Sequence, residues 1–262
     1  MPEFFNVVSP TDAVATLNDR LDRPLHSETI RTTGSLHRVT ASTVISGEVL
    51  PAFARSSMDG YSVRAQDTYG ASESLPALLN VIGDVVTGHQ AVVSLGVGDA
   101  AVAYTGGMLA LGADAVVIIE RTLVVDENTI EVTSPVAPGE NVVQVAEDVE
   151  SGDVVLPQAH LIRAQDIGAM LALGITEVEV TRKPKVAIVS TGDELVSSEE
   201  TPRSGQIRDI NTYTIAARVS ECGAIPITFD LAPDDFEAQL ALAQTAFGSA
   251  DVLIFSAGSS LS

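Results

Sequence analysis

The chain has 262 residues, 45% hydrophobic and 19% charged, a balance that supports packed domains and excludes wholesale disorder. Its formal charge is −21, from 35 acidic against 14 basic residues, so its surface repels nucleic acid phosphates and anionic membranes at long range. Apolar runs such as Ala115–Ile119 are too short to span a bilayer, the first residues carry no signal-peptide pattern, and one cysteine, Cys222, allows no internal disulfide.

Ser9-Pro10-Thr11-Asp12 predicts a helix start, with Ser9 as N-cap, Pro10 at the first helical position and Asp12 in the first turn. Ala13, Val14 and Leu17 recur at helical spacing, and the pattern fades near Pro24. From about Val44 to Val143 the segments become β-branched, as in LLNVIGDVV and DAVVIIERTLVV, and are divided by Gly, Asp and Asn turns. Within this β-rich stretch VVDENTIEV reads as a hairpin turning at Glu127-Asn128. AQDIGAMLALG, residues 164–174, predicts a helix closed by Gly174, and TEVEV, residues 176–180, alternates as a half-buried strand does.

Beyond Lys183-Pro184 the pattern sharpens. VAIVS, residues 186–190, is a continuous apolar strand of the kind parallel sheets need. Asn211 is expected to cap a helix with Ile215, Ala216, Val219 and Cys222 on one face, stopped by Gly223. IPITFD, residues 225–230, is a second strand. Pro233 then opens a second helix whose Phe236, Leu240, Ala243 and Phe247 share a face, and VLIF, residues 252–255, is the third strand. Such a βαβαβ series is half of a doubly wound α/β sheet.

Ligands of open α/β sheets bind outside the carboxyl ends of the strands. Here those ends read Thr191-Gly192-Asp193-Glu194, then Asp230, then Ser256-Ala257-Gly258-Ser259-Ser260. Carboxylates suit a hard cation such as Mg²⁺ or proton transfer, and a Gly/Ser loop suits a phosphate. The same residue types also solvate loops and cap helices, so both readings stand at this point. In the β-rich stretch, RSSMDGYSV (55–63) places Asp59-Gly60 where a turn alone explains both residues. YTGGMLALGADAVV (104–117) is a Gly-rich loop before a strand, carrying the hydroxyl of Thr105. The four histidines show no ligand spacing, and no CxxC, HExxH or GxSxG motif occurs.

Five blocks fall in one order: LPAFARSSMDGYSVRAQD (50–67), TGGMLALGADAVVIIE (105–120), PGENVVQVAEDVESGDVVL (138–156), KPKVAIVSTGDELV (183–196) and SGQIRDIN (204–211). Together they resemble the molybdenum insertase family, MoeA in bacteria and the E domain of gephyrin in animals, over nearly the whole chain. The resemblance implies an elongated multidomain protein of α/β and β parts. A small discontinuous α+β linker domain would take residues 1–45 and 144–181, a β-rich domain 46–143, and the N-terminal half of a molybdopterin-binding-like α/β domain 182–262.

It also implies a cytoplasmic, homodimeric enzyme of molybdenum cofactor biosynthesis that binds neither nucleic acid nor membrane. Such a molybdopterin molybdenumtransferase takes molybdate and adenylylated molybdopterin, uses Mg²⁺ and releases AMP. Its partners would be the molybdopterin-adenylating protein and the molybdoenzymes downstream. The family's acidic motif positions fall on Asp59, Asp148, Glu194 and Asp230, with Thr105 as its hydroxyl, and these would be catalytic. Thr191, Gly192, Asp193, Ser256, Gly258, Ser259 and Ser260 would bind the pterin substrate, and Glu194 and Asp230 the metal. In the family the third-strand loop continues into a helix, further strands and a small C-terminal β domain. This chain stops inside that loop, so a C-terminally truncated form, incomplete as an enzyme, is expected. A non-catalytic dimerising scaffold of the gephyrin E-domain type is the alternative. Departures from the family's pattern are Gly107 and Ala110 for Ala and Pro, Ala146 for Gly, and Ala257 for Gly.

Overall fold

The structure is a computed structural model and describes residues 8–20 and 26–256. In chain order it opens with helix α1 (Pro10–Arg20) and strand β1 (Ser27–Arg31). Strands β2 (Val44–Ile45), β3 (Arg55–Ser56), β4 (Gly60–Val63), β5 (Ala77–Val85), β6 (Asp99–Ala103) and β7 (Ala115–Ile118) come next. They are followed by β8 (Thr122–Asp126), β9 (Thr129–Val132), β10 (Val142–Val143) and β11 (Val154–Leu156). Helix α2 (Ala164–Ala172) and β12 (Glu177–Thr181) lead into β13 (Lys185–Ser190), β14 (Leu195–Val196) and β15 (Ile207–Arg208). Helix α3 (Asn211–Glu221), β16 (Ile225–Thr228), helix α4 (Phe236–Ser249) and β17 (Val252–Ser256) complete the described chain.

Two compact units divide it: residues 43–157 with 168–176 in one, and 1–42, 158–167 and 177–262 in the other. The first unit is built on a six-stranded sheet of order β7-β4-β6-β5-β9-β8, antiparallel except where β5 runs parallel to β6. Its core gathers Val63, Leu79, Val117, Ile130 and Val132, all essentially excluded from solvent. The β8–β9 hairpin turns at Glu127-Asn128 as expected, and the Asp126 carboxylate takes the Asn128 amide at 2.9 Å to close it. Gly60 begins β4 between two neighbours, and a Cβ there would collide with the carbonyl of Val117. The turn expected at Asp59-Gly60 is therefore replaced by a strand start whose close backbone approach only glycine permits.

In the second unit β1 pairs antiparallel with β12. The sequence reading missed β1 because SETIR shows no apolar alternation; its strand character comes from pairing. The cap of α1 is as expected: Ser9 Oγ accepts the Asp12 amide at 3.1 Å and donates to its carboxylate at 2.7 Å. Asp166, in the first turn of α2, accepts the Arg163 amide at 2.8 Å and meets His160 Nε2 at 2.7 Å. Hydrogen bonding from Arg163, ahead of that from His160, holds its carboxyl well below the usual range. In the first unit, which holds residues 168–176, helix α2 closes through Gly174 at φ +69, with the Ile175 amide bonded to Met170 O at 2.9 Å.

Strands β16, β13 and β17 form the expected parallel sheet with β13 in the centre. Alternation along β13 supplies both faces: Val186 and Ile188 pack with Val219 and Ile215 of α3, while Ala187 and Val189 pack with Ala246 and Leu242 of α4.

Two helix expectations need correcting. Asn211 does not cap α3 but is its first residue; the capping bond runs from the Thr212 amide to Asp209 Oδ1 at 3.1 Å, because Ile210 already has helical backbone angles. Helix α4 begins at Phe236, capped by Asp235 on the Ala238 amide at 2.9 Å, and not at Pro233. Its apolar residues occupy more than one side, so periodicity alone names the wrong stripe. Phe236, Leu240 and Phe247 are exposed, and the inward residues are Leu242 and Ala246. Cys222, expected on the inner face of α3, ends the helix and is exposed. Among the described residues no helix is long and apolar enough to cross a membrane.

Candidate active site

In the β-rich unit, backbone pairing draws three separate loops together. β3 pairs with β10, Ser56 and Gly107 share a bond at 2.9 Å, and the Gly106 amide donates to Ser56 O at 2.8 Å. The bend after β3 then delivers Asp59 to Thr105. The amide and the hydroxyl of Thr105 both donate to Asp59 Oδ1, each at 2.8 Å. These bonds, the amide first, lower the Asp59 pKa from its ordinary value. Oδ2 of Asp59 has no partner among the described residues, so one oxygen is oriented while the other stays available. Asp148 is tied in through its amide, bonded to Leu50 O at 2.9 Å, and its carboxylate is exposed with no hydrogen bond among the described residues.

In the α/β unit, the three strand ends converge as the topology requires. The Thr191 amide donates to Ser256 O at 2.9 Å, and the Gly192 amide to Ala232 O at 3.2 Å. Gly192 has φ +148 and sits under the carboxylate of Glu194, whose Oε2 would lie 2.6 Å from a Cβ at this position. Glycine is thus what lets Glu194 fold back over the loop. Asp193 accepts the Asp234 amide at 3.1 Å, joining the loops after β13 and β16. Asp230 is exposed on a cavity of about 240 Å³, lined also by Asp209, Thr212, Tyr213 and Thr228.

Around Asp209 and Thr212 of that cavity lies a polar network in which Ser190, Asp209 and Thr212 carry no role legible in the sequence. Ser190 Oγ and Thr212 Oγ1 are 2.8 Å apart and both buried, and Asn211 Nδ2 donates to Ser256 Oγ at 3.0 Å. The signal for it in the sequence is the SGQIRDIN block, which carries Asp209 and Asn211. Gly258, Ser259 and Ser260 lie outside the described residues.

Residues 8–174 match the family described as "MoeA N-terminal region (domain I and II)", and residues 187–262 match "Probable molybdopterin binding domain". The chain belongs to the MoeA family. It is 33% identical to the molybdopterin molybdenumtransferase of Nostoc sp. over 98% of its own length and 58% of that relative's. With the molybdopterin molybdenumtransferase of Bacillus subtilis the identity is 32%, over 87% of this chain and 54% of the relative. The chain therefore spans somewhat more than half the length of these curated relatives. The crystal structure of the molybdopterin biosynthesis MoeA protein from Pyrococcus horikoshii OT3 superposes with a TM-score of 0.90 at 33% identity, over 95% of this chain and 66% of that one.

Two departures from the MoeA pattern now have a physical reading. Ala146 adopts φ +61, a left-handed conformation that the glycine expected here from the resemblance would enter more easily. Gly107 is packed so closely that a Cβ would meet Tyr104 O at 3.0 Å, so the smaller residue suits the loop that carries Thr105. For Ala110, buried beside Ala101 and Val85, the structure offers no reason for the exchange.

Proposed function

We propose that this chain is part of a molybdopterin molybdenumtransferase, which transfers molybdenum from molybdate to the dithiolene sulfurs of molybdopterin as AMP leaves the adenylylated precursor. The observation that carries the reading is the bond pair from Thr105 to Asp59. It keeps one carboxylate ionised and aimed from a solvent-facing loop, in a chain whose named relatives are molybdenumtransferases. Asp59, Thr105 and Asp148 would serve from the β-rich domain, and Glu194 and Asp230 from the α/β domain.

Thr191, Gly192, Asp193 and Ser256 would bind the pterin's phosphate region, continued by Gly258, Ser259 and Ser260. Mg²⁺ suits this donor set. It binds through one or two carboxylates together with substrate phosphates rather than in an all-protein cage. Among the described residues no group of three or more His, Cys, Asp or Glu side chains is placed to hold a metal by itself. Glu194 and Asp230 would hold the ion, which when bound supplies positive charge against the phosphates.

The three-domain division at 1–45 with 144–181, 46–143 and 182–262 is part of the same reading, as are a cytoplasmic location and partnership with the adenylating protein and downstream molybdoenzymes. So is a homodimer. Val14 and Leu17 of α1 are each 57% exposed, an apolar pair on a helix that buries none of its residues and is suited to a second copy.

The test is AMP release from adenylylated molybdopterin by the full-length protein, with and without molybdate. Asp59→Asn and Glu194→Gln should each lower the molybdate-dependent rate by about a hundredfold. Wild-type rates from both variants would sink the assignment.

A further inference from the structure

Resting on that proposed function, we infer that Asn211 is a positioning residue: it holds the Ser256 hydroxyl so that the hydroxyl's own proton is free to donate to an anionic oxygen of the substrate beyond the end of β17. The sequence suggests a cap for Asn211, and the structure removes that duty, because Asp209 already takes the Thr212 amide. Among the described residues the Asn211 side chain is spent on one bond instead, from Nδ2 to Ser256 Oγ at 3.0 Å.

A hydroxyl has one proton and two acceptor lone pairs. Accepting from Asn211 fills a lone pair and fixes the rotor without consuming the proton, and that proton has no acceptor among the described residues. Ser256 is also held through its backbone, its carbonyl accepting the Thr191 amide at 2.9 Å. The base that carries Asn211 is rigid as well. Ser190, Asp209 and Thr212 are buried and mutually linked, and the Asp209 amide donates to Val196 O at 2.9 Å. The result is an oriented donor at a parallel strand's carboxyl end, where such sheets bind ligands. Preorganisation of this kind lowers the ordering cost of binding an anion.

The experiment compares Asn211→Ala, Ser256→Ala and the double variant in the full-length protein. Each single change should raise KM for adenylylated molybdopterin about tenfold with kcat nearly unchanged, and the double variant should be no worse than either, since both remove the same donor. Asn211→Asp should be worse than Asn211→Ala, because a carboxylate accepts the hydroxyl's proton and repels the anion. Additive losses, or an Asn211→Ala variant with unchanged KM, would overturn the inference. Should the wild type release no AMP, the proposed function fails, and titration with AMP or inorganic phosphate then decides. Equal, non-additive weakening in the two single variants supports a role for Asn211 through Ser256; no binding, or additive weakening, refutes it.

Discussion

Thr105 gives both of its donors to a single oxygen of Asp59, amide and hydroxyl each 2.8 Å from Oδ1. Both favour the ionised carboxylate, so Asp59 titrates below its ordinary 3.8. With the folded pKa depressed, the contribution to stability is fully present above the unfolded value and fades as pH falls through the folded one. Thr105→Val keeps the amide bond and deletes the hydroxyl. The Asp59 carboxyl resonance, followed by NMR against pH, should then titrate higher, toward the usual range. An unmoved midpoint would show that the hydroxyl has no part in holding the charge.

The residue after Asp59 is under a harder constraint. Gly60 lies in register with Ala103 on one side and Ile118 on the other, and the atom that would meet its Cβ is backbone, the Val117 carbonyl. Backbone in the middle of a sheet cannot step aside as a flexible side chain can. Gly60→Ala should cost about 3 kcal/mol in urea unfolding, the upper end for overpacking, as β4 and β7 are forced apart. An unchanged midpoint would mean that the sheet relaxes without loss.

Ala146 presents the opposite case, an alanine where glycine is easier. At φ +61 an L-residue pays about 1–2 kcal/mol, against which glycine loses about 0.4–1 kcal/mol through its freer unfolded chain. Ala146→Gly should stabilise the protein by about 0.5–1 kcal/mol. Its amide bond to Pro51 O, 3.0 Å long, should survive in the variant. A lower urea midpoint would argue that the methyl group makes packing contacts worth more than the strain.

What the sequence made legible was local. The Ser9 cap, the Glu127-Asn128 turn, the Gly174 stop and the three apolar strands each depend on a few adjacent residues, and each stands in the structure. β1 depended on a partner strand some 150 positions away in the chain, as the Ser27–Thr181 register shows, and its own residues carry no mark of it. The Asp59–Thr105 bond spans 46 positions; resemblance pointed to both residues, but spacing gave no hint that they touch. The Asn211–Ser256 bond spans 45 positions and was invisible for the same reason. Helix α4 failed differently, since its sequence supports two apolar stripes and only the sheet decides between them.

That choice of stripe can be tested by stability alone. Ala246 is fully buried against Ala187 and Val189, whereas Phe247, the next residue, is 57% exposed. Ala246→Leu should therefore destabilise by about 1–3 kcal/mol through overpacking. Phe247→Ser should stay within about 0.5 kcal/mol, as surface changes usually do. The two substitutions run against intuition, since the first adds apolar surface and the second removes an aromatic ring. If Phe247→Ser were the costly one, the helix would present to the sheet the stripe that periodicity first suggested, and Leu242 and Ala246 would have to turn outward.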